Sequence, residues 1–76
     1  MLDILKREVS SYFKVDFKNL SSKTKAYDVD GWDSLEHANF LLHLEDVFNI
    51  EFDLEELINL EDLGALAEVI ENKVKH

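Results

Sequence analysis

The stretch DGWDSLEHA, residues 30–38, places a small hydroxyl at the entrance to a run of leucines, acids and helix formers. Ser, Asp and Asn in such a place commonly satisfy the free N–H groups of a first helical turn. Asp33, however, stands one residue before Ser34, and Glu36 follows Asp33 at the spacing of a capping box. If Asp33 caps the helix, Ser34 becomes its first residue, with the hydroxyl facing water. A hydroxyl that the helix does not need is free for another task.

Other chemistries fit these residues poorly. Asp28, Asp30 and Asp33 cluster near Gly31, but an EF-hand loop needs glycine at position 6 and glutamate at position 12. Counted from Asp28, the glycine falls at position 4, and Asn39 stands at position 12. His37 and His43 are six residues apart, on different faces of a helix, so they do not form an HExxH-type metal pair. Both read as surface histidines. Hydrolysis by Ser34 would need a base and an oxyanion site, and no Gly-x-Ser-x-Gly elbow surrounds it. An enzyme is therefore not expected. Trp32, beside Gly31, reads either as a partner-binding aromatic or as a lid over the helix ends.

The totals describe a small folded domain, spanning residues 1–76. With 46% apolar and 11% aromatic residues, the chain is too hydrophobic for wholesale disorder despite a net charge of −9. No proline and only two glycines, Gly31 and Gly64, interrupt it. Cysteine is absent, which excludes a disulfide framework and a thiolate metal site. No apolar run approaches the ~20 residues of a membrane span, and no signal peptide is evident. A soluble, cytoplasmic, monomeric protein is the expectation. Six of the eight basic side chains lie in residues 1–25, whereas the 47 residues from Ala26 to Asn72 hold fourteen acids and no Lys or Arg. That stretch would repel nucleic acid and anionic membrane, and it would attract basic protein surfaces. It could equally be a solvating coat.

Four helices position these residues, and the spacing predicts an all-α, four-helix bundle. In LDILKREVSSYF, Leu2, Leu5, Val9 and Phe13 recur at helical spacing. The next segment, VDFKNLSSKTKAYDVDG, has no steady period and is long for a loop, with Phe17, Leu20, Tyr27 and Val29 as expected anchors. A second helix runs from about Ser34 to Asn49. A short third follows Asp53, whose spacing to Glu56 repeats the Asp-x-x-Glu pattern. A fourth covers about Glu61 to Val74, with Leu63, Leu66, Ala67, Ile70 and Val74 as its buried stripe. Glu61 and Asp62 suit the positive end of its dipole, and Lys73 and Lys75 suit its finish. Val47 to Leu54 alternates like a strand, but a lone strand has nothing to pair with.

Unrolled at about 100° per residue, the second helix carries a wide apolar arc of Ala38, Phe40, Leu41, Leu42, Leu44, Val47 and Phe48. Glu36, Asn39, His43 and Asp46 fill the remaining sector, flanked by Leu35 and Leu42. The polar strip starts beside Ser34. His37 and Glu45 fall inside the apolar arc and are expected at its margins, with their tips in water.

GWDSLEHANFLLHLEDVFNIEF resembles the signature region of acyl carrier proteins and related thiolation domains. The resemblance rests on Asp33-Ser34-Leu35 at the start of an acidic helix and on Glu45-Asp46-Val47-Phe48-Asn49-Ile50 at its end. It extends over essentially the whole chain. It implies that Ser34 accepts 4′-phosphopantetheine from coenzyme A, through a separate phosphopantetheinyl transferase, with Asp33 and Leu35 flanking the attachment. The arm's thiol would then carry an acyl or aminoacyl group as a thioester. It also implies a partner surface on the second helix: Leu35, Glu36, Asn39, Leu42, His43 and Asp46, joined by Glu45 and by Trp32 before it. Loading enzymes and downstream synthases with basic docking surfaces would meet it there. A cargo chain could insert among Phe40, Leu41, Leu44, Phe52, Leu57, Leu60 and Leu66, whose plain role is core packing. Fatty-acid carriers usually have a small residue where Trp32 stands and an acid where Asn39 stands. Gly-Trp-Asp-Ser-Leu looks more like stand-alone carriers of polyketide, nonribosomal peptide or cell-surface assembly. The alternatives are a carrier of primary type II fatty-acid synthesis and an unmodified carrier-like scaffold module.

Overall fold

Apolar spacing closes into four helices: α1 (Leu2–Phe13), α2 (Ser34–Phe48), α3 (Leu54–Ile58) and α4 (Leu63–Val74), with short 3-10 turns at Phe17–Asn19 and Ala26–Asp28. The computed structural model describes residues 1–58 and 60–74. Asn59, Lys75 and His76, and the side chains of Leu57 and Ile58, lie outside the described residues, so the expectations for Lys75 and Leu57 do too. No strand occurs among the described residues, and the alternating run from Val47 continues α2 and then links it to α3.

The core is built from the periodic positions of three helices. Leu5 and Val9 of α1, Phe40 and Leu44 of α2, and Leu63 and Ile70 of α4 are sealed from solvent. Burial of each such side chain contributes about 1.5–3 kcal/mol. Only Phe40, Leu41 and Leu44 of α2 are buried, so the expected wide arc is corrected to a narrow stripe. Ala38, Leu42 and Val47 face solvent, because the neighbouring elements reach this helix from one side only. In α4, Val74 is 50% exposed, and the expected stripe ends at Ile70, before the last turn.

The long segment between α1 and α2 is anchored by Leu20 and Val29, both buried. Phe17 is half-buried, with the Lys6 ammonium 4.5 Å from its ring centre. Tyr27, expected as an anchor, is 78% exposed. The larger ring of Trp32 takes the interior place, stacked on Phe13 at 4.8 Å and set edge-on to Phe40 at 5.2 Å.

This segment also holds the start of α4. The Leu63 N–H donates to the Thr24 carbonyl (2.9 Å), and the Gly64 N–H donates to the Ser22 carbonyl (2.8 Å). The Ala65 N–H donates to Asp62 Oδ1 (2.8 Å). Asp62 thus acts as cap, and the helix begins at Leu63 rather than Glu61. The approach favours glycine, since a Cβ on Gly64 would meet the Ser22 oxygen at a tight 3.0 Å. At α3, Glu56 reaches back to accept from the Asp53 N–H (2.7 Å) and pairs with Lys73 of α4 (2.8 Å). The Asp53 N–H and then the Lys73 ammonium hold the Glu56 carboxyl below its ordinary value, while Glu56 raises Lys73.

Candidate functional site

Asp33 is extended and caps α2, its Oδ1 accepting from the Glu36 N–H at 2.8 Å. Ser34 is therefore the first helical residue, and it is exposed. The capping-box spacing is only half used, because the Glu36 carboxylate turns to Asn39 and accepts from its Nδ2 at 3.1 Å. Among the described residues, no acceptor meets the N–H groups of Ser34 and Leu35, and no partner engages the Ser34 hydroxyl. An exposed hydroxyl thus sits beside two open amides at the positive end of a 15-residue helix. That arrangement suits a phosphoryl group carried on the serine oxygen.

Beside Ser34 lies an open, mostly apolar depression bordered by Ala26, Tyr27, Trp32, Asp33 and His37. Farther along α2, an apolar groove runs between Ala38, Leu41 and Leu42 on one side and Phe52 on the other, with His37 and Glu45 at its polar edges. A third, smaller space of about 20 Å³ is bordered by Trp32, His37, Leu60 and Leu66. That volume is roughly what one water molecule needs, far less than an alkyl chain. Phe40, Leu41, Leu44 and Leu66 are buried core residues. Leu41 and Phe52 also border the open groove, and Leu60 is half-buried.

The structure distributes the expected docking residues unevenly. Leu35 (71% exposed) and Leu42 (63%) present apolar surface, with Asn39 and Asp46 exposed and Glu36 half-buried. Leu54, 73% exposed at the start of α3, adds an apolar residue that the sequence reading missed. Its only signal was an apolar residue directly after a cap. Of the two readings of Trp32, partner-binding aromatic and lid, the structure takes the lid: at 7% exposure its ring is packed over Phe13 and Phe40. His43 and Glu45, both half-buried, are engaged by other parts of the chain. His43 Nε2 pairs with Glu8 of α1 at 3.0 Å, and Glu45 Oε2 accepts from the Phe52 N–H at 2.7 Å.

His37, expected to dip its tip in water, is half-buried and accepts at Nδ1 from the Trp32 indole N–H at 2.9 Å. Burial lowers its pKa and favours the neutral ring. No group of three or more His, Cys, Asp or Glu among the described residues could hold a metal.

The fold has a counterpart of known structure. The solution NMR structure of the holo acyl carrier protein from Geobacter metallireducens matches with a TM-score of 0.86 and 38% sequence identity, over 97% of this chain and 85% of that chain. The chain belongs to the acyl carrier protein family. No family model matches the sequence, and no curated protein does. Acyl carrier proteins are carriers rather than enzymes, and the helical order described above is theirs. No helix among the described residues is long and apolar enough to cross a membrane.

Proposed function

We propose that this acyl carrier protein holds acyl or aminoacyl intermediates as thioesters on 4′-phosphopantetheine attached to Ser34, in a specialised biosynthetic pathway. One observation carries the reading. Ser34 is exposed, is not used as the cap, and is flanked by the open N–H groups of Ser34 and Leu35. Attachment converts the Ser34 hydroxyl into a phosphodiester oxygen: its proton leaves to a base of the transferase, and the adenosine bisphosphate part of coenzyme A departs. The open amides and the helix dipole then stabilise the anion. When bound, the arm supplies a terminal thiol, the one thiol in a chain without cysteine.

Leu35 and Leu42, with Glu36, Asn39 and Asp46, form the surface that transferase and loading enzymes would meet. Acid charge there raises association rates with basic partners and needs no large buried area. Trp32 in place of a small residue and Asn39 in place of an acid support the specialised role over primary fatty-acid synthesis. A cytoplasmic monomer fits this role. The test is intact-mass analysis after incubation with coenzyme A and a broad-specificity phosphopantetheinyl transferase. The expected result is one added phosphopantetheine on the parent chain and none on Ser34→Ala. An unchanged parent mass would leave the scaffold module as the reading.

A further inference from the structure

Trp32 and His37 form a device that arm attachment alone does not require. An indole N–H can only donate, so the 2.9 Å bond from Trp32 Nε1 makes His37 Nδ1 an acceptor. In the neutral ring the proton then sits on Nε2, and Nε2 has no partner among the described residues. The ring is fixed as well as oriented. It stacks on Trp32 at 5.9 Å, and Trp32 in turn stacks on Phe13 of α1. His37 lies three residues after Ser34, on the same side of α2. It borders both the depression that holds Ser34 and the apolar groove walled by Leu41, Leu42 and Phe52. It is thus a pre-set donor at the junction of the two.

We infer that His37 is a positioning residue for the arm: its Nε2–H donates to an amide carbonyl of the pantetheine chain on Ser34 and lays that chain from the depression toward the groove. The division of labour follows from charge. A neutral imidazole has little pull on a phosphate, which the open Ser34 and Leu35 amides serve, but it matches a neutral amide oxygen. Burial keeps the ring neutral and so preserves the lone pair on Nδ1 that the indole needs. The depression's apolar border of Ala26, Tyr27 and Trp32 suits the branched, dimethylated carbon at the head of pantetheine. Pre-setting the donor reduces the ordering cost of holding a flexible chain.

This inference rests on Ser34 carrying the arm, and the experiment separates the two. The unaltered chain is followed by ¹H–¹⁵N imidazole spectra before and after arm attachment. The expected result is an Nε2–H resonance that shifts and exchanges more slowly with solvent only in the arm-bearing form, with Nδ1 unprotonated in both. In parallel, ¹⁵N-labelled pantetheine reports the ordered fraction of the arm. That fraction should fall about fivefold in His37→Phe, as loss of one neutral hydrogen bond allows, and return in His37→Gln, whose amide also donates. An arm that attaches while the imidazole signals stay unchanged overturns the inference and leaves the carrier function standing. A parent chain that takes no arm overturns both. If neither variant folds, the comparison within the unaltered chain decides alone.

Discussion

Helices α2 and α4 each begin directly after an aspartate that caps them, yet their first turns end in opposite conditions. In α4, the N–H groups of Leu63, Gly64 and Ala65 all find acceptors within the protein: Thr24 O, Ser22 O and Asp62 Oδ1. In α2, only the third, that of Glu36, is met, by Asp33 Oδ1. The first residue follows suit. Leu63 is 1% exposed, whereas Ser34 faces solvent. A capping aspartate therefore does not mark a site by itself. The site arises where the rest of the first turn is left unmet and a nucleophilic side chain stands in it.

The contrast can be broken most forcefully from the α4 side. Leu63→Ala should lower stability by about 2–5 kcal/mol, as for other buried leucines, while arm attachment at Ser34 persists wherever the variant remains folded. Urea unfolding, paired with intact mass, checks both halves. Gly64→Ala should cost about 1–3 kcal/mol, since its methyl presses on the Ser22 carbonyl and strains the seat of α4. No change in urea midpoint would mean that the seat yields freely. Asp33→Ala should remove about 1 kcal/mol, the usual worth of a cap, and leave α2 with three unmet amides. Calorimetry against Asp62→Ala would show whether the two caps weigh equally.

The smallest effect is one of pH. Burial holds His37 below the ordinary imidazole value of 6.5, so as acid is added the unfolded chain takes up a proton there before the folded chain does. The stability tied to the neutral ring is complete above 6.5 and is lost as pH falls from there through the folded value. Between about pH 7 and pH 5, the parent should lose more stability than His37→Gln, which cannot titrate. Parallel losses in urea titrations would contradict this.

Local patterns made much of this legible from sequence. Spacing of Leu2, Leu5, Val9 and Phe13 placed α1, and Asp33 before Ser34 with Glu36 behind placed the cap and the free hydroxyl. What sequence hid was non-local. Nothing near Trp32 says that Phe13 and Phe40 leave a gap for it, so sequence leaves it between lid and partner aromatic and does not give the bond to His37. Tyr27 reads as an anchor because any aromatic in a loop looks like one until a competitor fills the interior. Helical angles placed Glu45 near the core edge, but its partner, the Phe52 amide, depends on how the chain turns after α2. Leu42 and Val47 fall by angle in an apolar arc that has too few neighbours to cover it.

The two carbonyls at Ser22 and Thr24 also constrain how this chain can diverge. Surface connections ordinarily tolerate added residues, but one extra residue between Leu20 and Thr24 would slide both oxygens out of register with the amides they serve. Divergence in that stretch is confined to exchanging side chains at constant length, while the backbone there behaves as a piece of the last helix.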